Sequence, residues 1–106
     1  MVTFEEFKRL EIRVARIKEV KDHPNADKLY IITIDLEDKT KQIVAGIKSS
    51  YTKEELIGRQ IVVVDNLEPA VLRGVESQAM LLAAQDDKGV CIITPDREVK
   101  IGSMVK

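Results

Sequence analysis

The sequence predicts an all-β fold, a small barrel of short strands with two minor helices. Three observations predict it. Runs rich in Ile, Val and Thr recur at short intervals, clusters of Gly, Pro, Asn and Asp separate them, and only two segments carry helix-start signals. Both of those segments are too short for more than one or two turns.

At the N-terminus, Thr3 followed by Glu6 makes a capping box, and Phe4, Phe7 and Leu10 share a face, so a short helix starts at Thr3. Residues 12–20 are β-rich with broken alternation, as in a strand that carries a bulge. Residues 23–28 form a rigid turn. Pro24 fixes its own φ and biases His23 toward extended backbone, while Asn25 and Asp27 can bond their own backbone or take positive φ. His23 reads as an exposed turn residue. Residues 29–36 and 42–47 form an antiparallel hairpin across the charged turn 37–41. Thr52 and Glu55 make a second capping box, with Gly58 placed for a helix C′ position. Residues 61–64 are a continuous β-branched strand, 64–74 a long connection without strand periodicity, and 79–85 and 90–94 two apolar strands around the turn 86–89. Five or more short strands, with one small helix between the third and fourth, match a five-stranded Greek-key barrel of the OB type. Spacing alone does not separate it from another small barrel.

The 106 residues fit one domain, 1–106, able to bury roughly 60–70% of its unfolded surface. No apolar run reaches the length of a membrane span, and residues 1–9 carry charges where a secretory signal would be apolar, so a cytoplasmic location is expected. The single Cys91 lies in an apolar run and reads as a buried thiol. With one Cys and one His, a zinc site has too few soft ligands, and no cofactor is implied. No nucleophile–base pair, phosphate loop or paired-carboxylate motif is present, so catalysis is not expected. Seventeen basic against eighteen acidic residues give a net charge of −1, and the first fifty positions hold ten basic and nine acidic residues. Bulk electrostatics therefore cannot drive nucleic-acid binding, and any such site must be a local patch.

One local patch stands out. The turn can hold Asn25 as a fixed donor and acceptor and Lys28 as a point charge, both suited to phosphate or ribose oxygens. The same residues also suit a solvated hairpin turn. A second segment, Leu72-Arg73-Gly74-Val75-Glu76-Ser77-Gln78-Ala79-Met80-Leu81-Leu82-Ala83-Ala84, follows Val44-Ala45-Gly46-Ile47 and precedes Thr94-Pro95-Asp96-Arg97 and Gly102. Together with the turn, these blocks closely resemble the tRNA-binding domain family over residues 7–105. The family includes the C-terminal domain of methionyl-tRNA synthetases and stand-alone tRNA-binding proteins.

The resemblance implies an OB-type barrel that binds tRNA without catalysis, recognising folded RNA by shape and backbone. It implies RNA-facing roles for Ser77 and Met80, which chemistry alone would read as a turn residue and a core filler. Arg73 keeps a positive charge in a loop that is commonly basic in the family, but Glu68, Ala70 and Val71 replace basic residues there. Lys48 and Tyr51, after the Ala-Gly-Ile strand, would add a phosphate contact and a stacking ring, or simply lead into the Thr52 helix. With the apolar first helix, the resemblance also suggests a homodimer through Phe4, Phe7, Val99, Ile101 and Val105, although the phenylalanines could instead close their own barrel. The catalytic part of a methionyl-tRNA synthetase is a further implied partner; the alternatives are a stand-alone structure-specific tRNA-binding protein, or an export-type chaperone or protein-interaction module of the same fold. A single-strand binder is disfavoured, since Tyr30 and Tyr51 alone remain for base stacking.

Overall fold

A computed structural model describes the whole chain, Met1–Lys106. Its central strand is β1 (Ile12–Asp22), which pairs antiparallel with β2 (Tyr30–Asp35) over its second half and, over its first half, with a strand labelled β4 (Gln60–Val64). β2 continues to β3 (Thr40–Ala45), and β4 to a short strand β7 (Met80–Leu81), giving the order β3-β2-β1-β4-β7. Residues just before β7 nearly close this sheet into a barrel. Gln78 N donates to Gln42 O at 2.8 Å, and Val44 N donates to Ser77 Oγ at 2.9 Å. Two hairpins decorate the barrel, β5 (Ala70–Leu72) with β6 (Val75–Ser77), and β8 (Ala83–Asp86) with β9 (Gly89–Ile92).

One strand can serve two partners because it bends. The expected bulge falls between Ile17 and Glu19 and shifts the parity of the strand, so Ala15 and Ile17 point into the barrel before it and Val20 after it. Ile32, Ile34, Ile43, Ile61 and Val63 fill the centre, and Leu56 of α2 (Lys53–Leu56) is fully buried with them. The continuous β-branched run of β4 is explained by burial on both faces. Ile61 and Val63 point inward, while Val62 and Val64 join Ile12 in an outer apolar layer packed by Leu82 and by Phe7 of α1 (Phe4–Phe7). Both capping boxes form as expected, Thr3 with Glu6 and Thr52 with Glu55. No helix is long and apolar enough to cross a membrane, which says nothing of β-barrels that do.

Two strand expectations and one burial expectation are corrected. The 64–74 connection contains β5, because Arg73 (φ 53°) and Gly74 (φ 88°) make the two-residue, doubly positive-φ turn that a hairpin needs. The 79–85 strand is two strands broken at Leu82, whose N–H donates to Val62 O while its carbonyl accepts from Ile93 N. Cys91 is exposed, not buried: within β9, Ile92 faces the core and Val90 packs against it, leaving the intervening residue on the outer face. The C-terminal segment returns along β1, with Gly102 N donating to Val14 O and Val105 N to Ile12 O, each at 2.7 Å. Gly102 has φ +89°, and a Cβ there would stand 2.7 Å from Leu36 O.

Candidate nucleic-acid interface

β1 ends at Asp22, and the chain then turns through residues 23–29 into β2. His23 N donates to Leu29 O at 3.2 Å, closing the turn, and Asn25 N donates to His23 Nδ1 at 2.9 Å inside it. The expectation of an exposed His23 is therefore wrong. The residue is buried, and its Nε2 lies 2.9 Å from Leu72 O on the β5–β6 hairpin. Next to Leu72, Arg73 sits at the hairpin tip and donates from Nη2 to Asn25 O at 3.0 Å. Asn25, Ala26, Asp27, Lys28, Leu29 and Arg73 line one recess, so two segments nearly fifty residues apart in sequence share one rim.

Neither Lys28 nor Arg73 is part of an ion pair. Only one of Arg73's five N–H donors bonds the protein, which leaves the rest of its fork free for an anion. On the other side of the turn, Lys48 and Lys53 share the carboxylate of Asp22 at 3.1 and 3.0 Å. Their hydrogen bonds, Lys53 first, hold Asp22 below the usual carboxylate range. Glu54 and Glu55 line the same recess as these two lysines.

Ser77 does not lie on this surface. It is buried, its Oγ accepting from Val44 N and donating to Ala79 O at 3.0 Å, so it closes the barrel and has no hydrogen left for a ligand. Met80 is exposed, but it pairs with Val64 at the base of the hairpin, in register with Ile12 at the far end of β1, and takes no part in the Asn25–Lys28–Arg73 recess. The rings of Tyr30 and Tyr51 are also committed. Tyr30 is buried and donates to Tyr51 O at 2.7 Å, and Tyr51 packs on the core and accepts from Ile92 N at 3.0 Å. Glu68, Ala70 and Val71 are exposed on the approach to the tip, so the missing basic residues leave that flank uncharged or negative.

A second polar cluster, at the opposite end of β1, escaped the sequence reading. Asp65 is 1% exposed and meets Arg13 Nη1 at 3.0 Å, Lys39 Nζ at 2.9 Å and Lys41 Nζ at 2.6 Å. Burial pushes its pKa up, but the ammonium groups of Lys41 and Lys39 and the guanidinium of Arg13 outweigh burial and hold it at about 2. The available signal was parity: Asp65 continues the inward Ile61–Val63 alternation, and Arg13 the inward Ala15–Ile17 alternation. No three His, Cys, Asp or Glu side chains come together as metal ligands.

A family model described as "Putative tRNA binding domain" matches residues 12–104, nearly the full length. The chain belongs to this tRNA-binding domain family. Methionine–tRNA ligase of Thermococcus kodakarensis is 53% identical over 105 residues, covering 99% of this chain, and that of Nanoarchaeum equitans is 49% identical over all 106. The chain spans 14% of the length of each of these two relatives. Among solved structures, a MetRS-related protein from Pyrococcus horikoshii superposes with a TM-score of 0.92 at 32% identity, covering 100% of this chain and 98% of that one. The CsaA chaperone protein of Picrophilus torridus superposes with a TM-score of 0.93 at 34% identity, each chain fully covered. The turn joins the first two strands of the barrel, β1 and β2, and the hairpin lies in the connection between β4 and β7.

Proposed function

We propose that this chain is a cytoplasmic, non-catalytic tRNA-binding module, one domain acting as the C-terminal domain or beta subunit of a methionyl-tRNA synthetase, whose ligase chemistry resides in the catalytic part. The observation that carries this reading is the shared rim. The two segments that distinguish the sequence, 23–29 and 72–84, meet through His23, Asn25 and Arg73, and present Lys28 and Arg73 without anionic partners. Lys28, Arg73 and Asn25 contact phosphate and ribose oxygens, and Lys48 adds a contact beside the turn. Such contacts position folded RNA without reading bases. With the hairpin flank stripped of basic residues, the number of phosphates is small, and log affinity should fall with log salt at a slope of about 3.

Filter binding against two tRNAs of unrelated anticodon tests the reading. Lys28→Glu should weaken both by about 1–3 kcal/mol, and Asn25→Ala by less. Undiminished affinity in Lys28→Glu, or a loss confined to one tRNA, refutes a shape-reading rim here.

Exposed apolar side chains around the first helix and the C-terminal segment support self-association. Phe4 is 70% exposed, and Leu10, Ile93, Met104 and Val105 are exposed apolar residues on segments that flank the outer layer of Ile12, Val62 and Val64. A second copy seated on Phe4, Phe7 and Val105 would cover this face, with Val99 and Ile101 on the adjoining C-terminal segment. Light scattering at micromolar concentration should give twice the chain mass, and a monomer would refute it. The likeness to CsaA favours one second reading, a protein-binding chaperone of the same fold, for which unfolded polypeptide would compete with tRNA.

A further inference from the structure

His23 is buried at the rim, yet the proposed contacts with tRNA do not use it. Its hydrogen bonds fix its chemistry. A backbone N–H can only donate, so Nδ1 accepts from Asn25 N at 2.9 Å, and the ring proton therefore sits on Nε2, where it donates to Leu72 O at 2.9 Å. One flat ring thus holds the 23–29 turn by one edge and the β5–β6 hairpin by the other. The residue after Leu72 is Arg73, whose guanidinium returns to Asn25 O at 3.0 Å, so the two segments are tied by a closed circuit of three hydrogen bonds.

The hairpin has little else to hold its tip. β5 and β6 form a two-stranded sheet of their own, and residues 76–78 anchor it to β3 only at its base, through Gln42 and Val44. Val71 is 69% exposed and gives the tip no packing. From the base alone the tip would swing, and an arginine that must be ordered at the moment of binding costs affinity.

We propose that His23 is a positioning residue for the tRNA interface, fastening the turn to the hairpin so that Lys28 and Arg73 are held at one fixed spacing. This rests on the tRNA reading given above. It differs from a histidine that merely satisfies itself in the interior, because the two bonds of the ring have separable consequences: one shapes the turn, the other holds the hairpin.

Two substitutions divide those bonds in the 106-residue chain. An asparagine places an amide oxygen where Nδ1 stood and can accept from Asn25 N, but it cannot reach Leu72 O. A glutamine places an N–H donor where Nε2 stood and can restore the bridge to Leu72. Bulk-tRNA filter binding and thermal melting are measured for wild type, His23→Asn, His23→Gln and Lys28→Glu. His23→Gln should bind within about threefold of wild type and His23→Asn about tenfold more weakly at a matching melting temperature, the scale of one contact of about 1.4 kcal/mol.

Equal affinities in the two His23 variants, whether both retained or both lost, overturn the fastening role. If Lys28→Glu weakens binding while the His23 pair does not separate, only that role falls. If Lys28→Glu binds as wild type does, the tRNA reading falls with it. Should both His23 variants fail to fold, amide exchange in the wild-type chain decides: slow exchange of the Asn25 and hairpin-tip amides supports the circuit, and exchange at the rate of free loops overturns it.

Discussion

Asp65→Asn tests the buried cluster that stands at the other end of β1 from the rim. The substitution keeps the shape of the side chain and removes one negative charge from between three cations at 2.6–3.0 Å. Lys39 is 41% exposed and can turn to water, but Arg13 at 12% and Lys41 at 21% cannot do so fully. Removing one partner of a buried ion pair costs about 3–5 kcal/mol. The low end applies here, about 3 kcal/mol, because Lys41 keeps the carbonyls of Asp65 and Gln78, and Arg13 keeps Asp38 and the carbonyls of Leu36 and Gly102. At roughly 4–8 °C per kcal/mol for a domain of this size, the melting temperature should fall by about 12–24 °C at pH 7.

Acid gives the second arm of the same assay. Asp65 has a folded pKa of about 2 against an ordinary 3.8, a depressed value, so its contribution is present above about pH 4 and lost as pH falls toward 2. Calorimetric melts from pH 7 to pH 2 should show the wild type losing more stability than Asp65→Asn in that window, until the two curves approach each other. Other carboxylates held low, such as Asp22, are common to both chains and drop out of the difference. A loss below about 4 °C at pH 7, or parallel curves from pH 4 to 2, would refute the assignment of Asp65 as the charge that holds this end together.

Gly74 and Gly102 have nearly the same φ, 88° and 89°, but a Cβ at Gly74 meets nothing within 4 Å whereas one at Gly102 meets Leu36 O at 2.7 Å. Gly74→Ala should cost about 1–2 kcal/mol of backbone strain and Gly102→Ala at least about 1 kcal/mol more in denaturant melts, and equal losses would show that the C-terminal segment yields freely. Cys91, on the outer face of β9, should react with a thiol-specific disulfide reagent in the folded chain at a rate close to that in denaturant, and Cys91→Ser should change stability by less than about 0.5 kcal/mol. A thiol that reacts only after unfolding would restore the buried placement.

Local chemistry made most of the fold legible. The two capping boxes fixed both helices, and broken alternation in β1 announced its bulge. The hairpin at 70–77 was hidden because an arginine holds a left-handed position where Asn, Asp or Gly is the usual signal. Cys91 was misplaced because a short continuous apolar run looks the same whether one face is buried or two. At the rim, Asn25, Lys28 and Arg73 were legible as residue types suited to phosphate, and the structure brings them to one recess. Ser77 and His23 share one ambiguity in the sequence. A small polar side chain beside a turn can face solvent or satisfy the interior, and only tertiary partners such as Val44 N and Leu72 O decide which.

Arg73 carries a consequence for how this surface can change. Its backbone, at φ 53°, belongs to a conformation that costs a non-glycine residue about 1–2 kcal/mol and that asparagine or glycine tolerates better. Evolution in the laboratory for heat resistance alone would therefore push position 73 toward Asn or Gly, and the tip would relax as its cation was lost. With Arg73 in its proposed contact with phosphate, selection for RNA retention would push the other way. The two pressures meet at a single residue, so the melting point of this barrel and its hold on RNA should trade against each other across variants of position 73, while the interior strands remain free to be improved without any such conflict.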